Sequence, residues 1–418
     1  MTYKSGVRIA QIHRRIGQVR RACVAVTCLI MEITWIGFPA AQARETQPDR
    51  PDAPRVSEQN TSEVTRAGLI AKPGALYVLS TVGSRLIVVD PTTGSVLGVE
   101  RTGYRPDIAI APDGGRIYIN STDFQSGMPF FEIIDTSTGS AIGRFENPDS
   151  LGWEAEFPRS FMSVSPDGQW VYMLKRHSTP EGDIFYVAAF DVRAQRFAPS
   201  VRIDSHCSTA TLFGRSSGLV DVVCGSANVV YVVQFSPTST NSSTKLHTLP
   251  ISIKKPRAHI GEITDLDSVI TAVADRNTSE IIGLKTDGRA VVIDSEKGEL
   301  HATEPLLDGQ WIPSSAVADD NRIYIPVSPL ATRNGTAESI LVIDRHTFST
   351  IGAFKPSEVF TNLAIAPDAH ELYLLAPTSK KVVVIDTNTL QQSMSIDLGV
   401  KPSFALVVPG RQTSVTAK

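Results

Sequence analysis

The chain has 418 residues, of which 42% are hydrophobic, and its formal net charge is −3. This length can bury a large core, in one big domain or two. The nearly neutral charge gives no electrostatic reason to expect nucleic acid or an anionic membrane surface as a partner, so we predict no nucleic-acid binding.

The first 43 residues have the layout of a signal peptide. A basic start is followed by the apolar run ACVAVTCLIMEITWIGFPA and then by AQA at 41–43, after which cleavage is expected. The run is also about long enough for an uncleaved membrane anchor. Because Glu32 lies within the run, a membrane span is disfavoured more strongly than a signal. The sequence therefore favours export to the periplasm through a cleaved signal, by a route that stays open between the general and twin-arginine pathways.

Residues 44–66, RETQPDRPDAPRVSEQNTSEVTR, are charged and nearly free of large apolar side chains. Such a segment cannot bury enough surface to fold, so we predict a flexible N-terminal segment there. The folded domain is predicted at 67–410, followed by a C-terminal tail at 411–418.

Four cysteines are present, and two of them, Cys23 and Cys28, lie in the segment that is expected to be removed. Cys207 and Cys224 remain in the mature chain. In an exported protein this pair suggests one disulfide. Two free buried thiols are the alternative.

Two phrases recur along the folded part of the chain. The first is a turn followed by a strand: APDGGRIYIN at 111–120, SPDGQWVYML from Ser165 and APDAHELYLL from Ala366. The second is a β-rich apolar run that ends in Asp before a turn, with a degenerate copy that has Ser236 in place of the Asp. The Asp residues are Asp90, Asp135, Asp191, Asp294, Asp344 and Asp386.

The successive copies of the second phrase are separated by 45, 56, 45, 58, 50 and 42 residues. Four short strands and their turns fill such a unit, which is one propeller blade. Seven units fit between about residues 67 and 410. We therefore predict an all-β fold, a seven-bladed β-propeller.

The repeated turns have a physical explanation. The Pro-Asp-Gly turn suits the dihedral angles between a blade's first and second strands. The Asp that ends the second phrase is predicted to accept backbone N–H bonds in the turn between the third and fourth strands. These six Asp residues are therefore interpreted as structural.

No catalytic motif is present: the chain lacks C-x-x-C-H, H-E-x-x-H, Walker A and G-x-S-x-G patterns. We predict no catalytic residue and no metal ligand in this chain. Several residues in predicted loops are candidates to reach one face of the propeller, where they would meet a partner or line a substrate channel; plain packing is the alternative for each. They are Val82, Tyr104, Arg105, Trp153, Glu154, Trp311 and Phe360.

Several stretches resemble the heavy-chain family of quinoprotein amine dehydrogenases. They are RLIVVDPTTGSVLG with RPDIAIAPDGGRIYI, VRIDSHCSTATLFGRSSGLVDVVCGS, DNRIYIPVSPLATRNGTAESILVIDRHTFSTIGAF and KVVVIDTNTLQQSMSIDLGVKPSFALVV. The likeness runs from about residue 67 to 409. It implies a seven-bladed periplasmic propeller and a disulfide between Cys207 and Cys224.

The resemblance also implies a role in a complex. The heavy chain of that family has no redox cofactor of its own. It holds a small disulfide-rich light chain that carries tryptophan tryptophylquinone, oxidises primary amines and passes electrons to a small copper protein or a cytochrome. The first functional prediction is therefore a non-catalytic subunit of a hetero-oligomeric amine dehydrogenase.

Two alternatives stay open. One is a stand-alone exported propeller built from YVTN-like repeats that binds a ligand or a protein partner. The other is a propeller enzyme that acts alone, such as a lactonase-like hydrolase, which would gather carboxylates and a metal at its channel mouth.

Overall fold

The protein is described here by a computed structural model. The structure describes residues 70, 73–146, 162–179, 182–203, 210–214, 219–224, 229–234, 247–249, 269–274, 280–285, 288–294, 299–306, 310–311, 316–329 and 336–409. All regular elements in these ranges are β-strands. No helix in these ranges has the length and hydrophobicity needed to cross a membrane.

The chain divides into two units, Met1–Ser57 and Glu58–Lys418, and the described residues belong to the second. The predicted signal at 1–43, the flexible segment at 44–66 and the tail at 411–418 lie outside the described residues, so these domain boundaries stay predictions.

The strands of the first half belong to four sheets. In chain order they are β1 Leu76–Ser80, β2 Arg85–Asp90, β3 Ser95–Arg101, β4 Tyr104–Ile110, β5 Arg116–Thr122, β6 Pro129–Asp135, β7 Ala141–Glu146, β8 Met162–Val164, β9 Trp170–Thr179, β10 Gly182–Asp191, β11 Arg196–Ile203, β12 Ala210–Gly214, β13 Leu219–Cys224, β14 Val229–Gln234 and β15 His247–Leu249.

The strands of the second half belong to three further sheets and end with the closing strand. They are β16 Val269–Ala274, β17 Glu280–Lys285, β18 Arg289–Asp294, β19 Glu299–Pro305, β20 Gln310–Trp311, β21 Val317–Ala318, β22 Arg322–Pro329, β23 Ser339–Asp344, β24 Thr350–Phe354, β25 Asn362–Ile365, β26 Glu371–Ala376, β27 Lys381–Asp386, β28 Gln391–Asp397 and β29 Phe404–Val407.

The sheets are antiparallel, and the last strand closes the ring. The sheet order β29-β1-β2-β3 joins the end of the chain to its start, with Leu76 opposite Val407 and Leu79 opposite Phe404. The other sheets contain consecutive strands, β4–β7, β8–β11, β12–β15, β16–β19, β20–β24 and β25–β28. The first strands of neighbouring sheets contact one another around the centre, for example β4 with β8 and β25 with β29.

The core lies between the sheets, because side chains alternate between the two faces of a strand. In β1, Leu76 and Val78 pack against the β25–β28 sheet, whereas Tyr77 and Leu79 pack against the β4–β7 sheet. Fully burying such a side chain contributes about 1.5–3 kcal/mol. The apolar runs of the sequence are thus explained by strands that are covered on both faces.

Both predicted turns are confirmed. The Pro112-Asp113-Gly114 turn joins β4 to β5, and Asp113 Oδ1 accepts the Gly115 N–H at 2.8 Å. In the turn from third to fourth strand, Asp135 Oδ1 accepts the N–H groups of Ser137 and Thr138. Asp90, Asp191, Asp344 and Asp386 accept the equivalent bonds. The turn after Asp294 lies outside the described residues.

The second strand of five sheets carries a fully buried tyrosine at the same position: Tyr77, Tyr118, Tyr172, Tyr324 and Tyr373. Burial raises the pKa of Tyr118 and of Tyr324 to about 12. These rings are therefore part of the repeat, and each fills the space towards a neighbouring sheet.

The prediction of an all-β propeller is confirmed. The β12–β15 sheet is described least, because β15 has three residues and the loops 215–218, 225–228 and 235–246 lie outside the described residues. The count of seven blades stays a prediction.

Candidate functional site

Two kinds of connection share one end of the propeller. Turns between second and third strands and links between successive sheets lie together there, and we call it the linker end; it includes residues 81–84, 102–105, 123–128, 355–361 and 398–403. The opposite end, which holds the Pro-Asp-Gly and Asp turns, is called the turn end. At the linker end the Thr102 N–H donates to the Ser84 carbonyl at 2.9 Å. The structure therefore places Val82 and the pair Tyr104–Arg105 at the same end.

The turn between β5 and β6, at the linker end, is ordered by side-chain hydrogen bonds. Asp123 Oδ1 accepts the N–H groups of Gln125 and Ser126 at 2.9 and 3.0 Å. Asp123 Oδ2 accepts Arg144 Nη2 at 2.7 Å, and the Arg144 guanidinium lies 3.7 Å from the centre of the Phe130 ring. The N–H groups of Ser126 and Gln125, together with Arg144, lower the pKa of Asp123 to about 2.

This hydrogen-bonded turn exposes two large apolar side chains. Phe124 is 63% exposed and Met128 is 51% exposed. At the turn end the residue after the Asp is instead buried: Thr136 Oγ1 donates to the Gly114 carbonyl and Thr387 Oγ1 to the Ala369 carbonyl, each at 2.6 Å. The same local turn therefore occurs at both ends of the propeller. Its second residue is buried at the turn end, whereas at the linker end the second residue, Phe124, is exposed.

Tyr104 is tied to the strand that leads into this turn. It lies opposite Thr122 in the β4–β5 register, and its carbonyl accepts the Ser121 hydroxyl at 2.9 Å. The Tyr104 ring is half exposed, and the Arg105 guanidinium lies 5.1 Å from its centre. Val82, at the tip of the neighbouring β1–β2 turn, is 81% exposed. We call Val82, Tyr104, Phe124 and Met128 the apolar surface.

One other predicted site residue is buried and does not join this surface. Phe360 is fully buried in the cluster that contains Tyr324 and Leu363, and its backbone pairs with Ala337, so it packs the core. Trp311 ends β20, where its backbone pairs with Ser328. Trp153 and Glu154 lie outside the described residues.

Sequence reasoning missed Phe124, Met128, Asp123 and Arg144. A signal was available, since DFQSG at 123–127 has the same Asp, Ser/Thr and Gly spacing as DTSTG at 135–139. Gly127 and Gly139 both have left-handed backbones, with φ of 68° and 67°. The deviation that matters is Phe124, which replaces a small polar residue.

The predicted disulfide stays a prediction. Cys224 ends β13 and pairs through its backbone with Ala210 and Val229, whereas Cys207 lies outside the described residues. Within the described part of the chain, no group of three or more His, Cys, Asp and Glu side chains lies close enough to hold a metal ion.

Comparison with known proteins adds support for the fold. No protein-family model and no curated protein matches the chain. Solved structures do. A protein of unknown function from Desulfotomaculum acetoxidans has 13% identity and a TM-score of 0.57, and the match covers 81% of this chain and 99% of that one.

Two further solved structures are similar over comparable lengths. A putative 6-phosphogluconolactonase from Bacteroides uniformis has 12% identity and a TM-score of 0.54, covering 81% of this chain and 100% of that one. Apo AztD from Citrobacter koseri has 10% identity and a TM-score of 0.51, covering 82% of this chain and 100% of that one. At these identities the likenesses show the β-propeller fold alone.

Proposed function

We propose that this chain is an exported β-propeller that binds a protein partner through the apolar surface at its linker end. The observation that carries the proposal is the Asp123–Met128 turn, which presents Phe124 and Met128 to solvent while the Asp123 carboxylate, paired with Arg144, accepts two of its backbone N–H groups. Contiguous exposed apolar side chains commonly mark interaction sites, and Phe124 and Met128 lie in one short turn.

Rigidity strengthens the argument for binding. Ordering a mobile loop on association costs free energy, and a turn that is already ordered avoids that cost. Binding hot spots are also enriched in large side chains at the centre of an interface, with polar groups around them. Tyr104 and Phe124 supply aromatic anchors, and Arg105 and Arg144 supply the polar surroundings.

The heavy-chain role is a second proposal, and it rests on the sequence resemblance. In that case the partner would be a small disulfide-rich light chain that carries tryptophan tryptophylquinone, and a copper protein or cytochrome would accept the electrons. The solved structures described above include no amine dehydrogenase. A stand-alone binding propeller accords better with their variety.

We also propose that the protein is exported to the periplasm and that its propeller has seven blades. Export is supported by the basic and apolar start of the sequence. Seven blades are supported by the seven sheets and by buried clusters that join each sheet to the next, including the cluster of Val223, Ala272 and Ile281 between the β12–β15 and β16–β19 sheets.

The test is to purify the mature protein from its native cell envelope after mild cross-linking. We compare the wild type, Phe124→Ser with Met128→Ser, and the control Ile351→Ser, which changes a half-exposed apolar residue on an outer strand. A partner present in equal amount with the wild type and the control, and lost from the double variant, is the expected result.

The visible spectrum separates the two proposals. A colourless partner supports the stand-alone binding role. A small partner with a quinone absorption that bleaches with a primary amine supports the heavy-chain role. Binding through the apolar surface is overturned if the wild type and both variants are all purified as monomers. It is also overturned if the double variant keeps the partner.

A further inference from the structure

We propose that a cleft at the turn end, between the β4–β7 and β8–β11 sheets, binds an oxyanion: a carboxylate or phosphate group of a small molecule or of an acidic protein segment. The cleft has a volume of about 400 Å³ and is lined by Arg116, Gly168, Gln169, Val192, Arg193 and Gln195. It lies at the opposite end from the apolar surface and does not depend on it.

The lining of the cleft is rich in hydrogen-bond donors. Arg116 and Arg193 bring two guanidinium groups, and Gln169 and Gln195 bring two carboxamides, whereas no carboxylate lines the cleft. The planar guanidinium fork matches carboxylate and phosphate oxygens in pairs. The chemistry of the cleft therefore favours an anion.

Four carboxylates lie in the turns around the two arginines, and each accepts backbone N–H groups of its own turn: Asp113, Asp135, Asp167 and Asp191. Among the described residues, neither Arg116 nor Arg193 forms an ion pair. Two arginines therefore line one cleft without an ion-pair partner among the described residues, and a bound oxyanion would supply that partner.

Arg116 lies two positions before Tyr118 in β5. Burial raises the pKa of the Tyr118 hydroxyl, and the positive charge of Arg116 lowers that pKa by a smaller amount. Val192, itself buried, forms an apolar wall beside the donors.

The repeats provide an internal comparison. The turn at Asp191 carries Arg193 and Gln195, whereas the equivalent positions are Ser137 and Gly139 in the preceding sheet. Gln195 has a left-handed backbone with φ of 51°, as do Phe348 and Leu390 at the same position of two other Asp turns, so this conformation belongs to the repeat. The turn is distinguished by its side chains, since Arg193 and Gln195 both line the cleft.

The size of the cleft suits a small ligand group. Its volume is near the lower limit of small-molecule sites, which span roughly 300–1,000 Å³. Arg193, Gln169 and Gln195 are exposed, so the cleft is open to solvent and could also receive an acidic side chain of a protein.

The test uses the mature protein and calorimetric titration with inorganic phosphate, succinate and a hexaglutamate peptide. The variants are Arg116→Gln and Arg193→Gln. Arg85→Gln is the matched control, since Arg85 is an exposed arginine at the linker end that also has no ion pair among the described residues. We expect one saturable site, weakened at least about tenfold in each cleft variant and unchanged in the control.

The probe that binds identifies the source of the anion. Binding of phosphate or succinate indicates a free small molecule as the source of the anion, whereas binding of the peptide alone indicates an acidic protein segment. If none of the three binds, or if Arg193→Gln binds as tightly as the wild type, the proposal is overturned. Arg193 is exposed and donates no structural side-chain bond in the described residues, so that variant keeps the test valid even if Arg116→Gln disturbs Tyr118.

Discussion

Gly114 and Ala369 occupy the same position of the same turn in two sheets, and both have left-handed backbones, with φ of 69° and 60°. Each donates its N–H to the residue three positions earlier, Gly114 to Ala111 at 2.8 Å and Ala369 to Ala366 at 2.9 Å. The turn thus imposes one backbone conformation on two different residues, and only glycine adopts it without a steric cost.

Ala369→Gly is therefore expected to stabilise the protein, by about 0.5–1 kcal/mol, because relief of the left-handed strain exceeds the extra flexibility of glycine in the unfolded chain. Urea denaturation of the mature protein measures the change. Ala194→Gly is the control, since Ala194 lies in an exposed turn without a positive φ. Equal losses of stability in both variants would contradict the prediction.

Gly114→Ala and Gly168→Ala should differ although both residues have φ of 69°. A Cβ at Gly114 would lie 2.9 Å from the Pro409 carbonyl oxygen and 3.0 Å from Val408, beside the strand that closes the ring. At Gly168 the nearest atom is Pro112 Cδ, at 3.8 Å. We expect Gly168→Ala to cost about 1–2 kcal/mol from backbone strain, and Gly114→Ala to cost more. Equal denaturation midpoints for the two variants would contradict this expectation, because they would mean that the closing strand moves to make room for the added Cβ at position 114.

Asp123 should make stability depend on pH in the acidic range. Its folded-state pKa of about 2 lies below the ordinary value of 3.8. The contribution of the carboxylate is therefore complete above the unfolded pKa and is lost as the pH falls from about 4 towards about 2. We expect Asp123→Asn to be less stable than the wild type at neutral pH, with a difference that closes over this range.

Denaturant midpoints of both proteins along this pH series measure the effect of Asp123. Arg144→Gln should reduce the same difference, because it removes one of the groups that lower the pKa. If the difference in stability between the wild type and Asp123→Asn stays constant down to the lowest pH, the Asp123 carboxylate is not the source of the pH dependence.

Phe360→Ala is expected to cost about 3–5 kcal/mol, because Phe360 is fully buried in the core and its removal leaves a cavity. Tyr104→Ser, in contrast, should change stability little and reduce partner binding, since the Tyr104 ring is half exposed. Thermal denaturation of the two variants tests the contrast. A stable Phe360→Ala variant would contradict its assignment to the core.

The sequence predictions were accurate where the interacting residues are close together in the chain, and they failed where the contacts come from distant strands. The Asp135 and Asp113 turns were predicted correctly because each carboxylate binds N–H groups two or three residues away. Phe360 was proposed for a partner-binding face, but its surroundings come from Tyr324 and Leu363 in other strands. No local pattern distinguishes such a buried phenylalanine from an exposed one.

The sequence by itself determined the repeat, the strand and turn positions and the capping Asp residues, because these depend on neighbours along the chain. Tertiary structure decided in which copies of the turn the second residue is buried and in which it is exposed to solvent. Thr136 is buried because the β4–β5 turn lies over it, whereas Phe124 is at the other end of the same sheet and stays exposed. It also decided that Arg116 and Arg193, 77 positions apart, line one cleft. Only the packing of one sheet against the next brings such residues together.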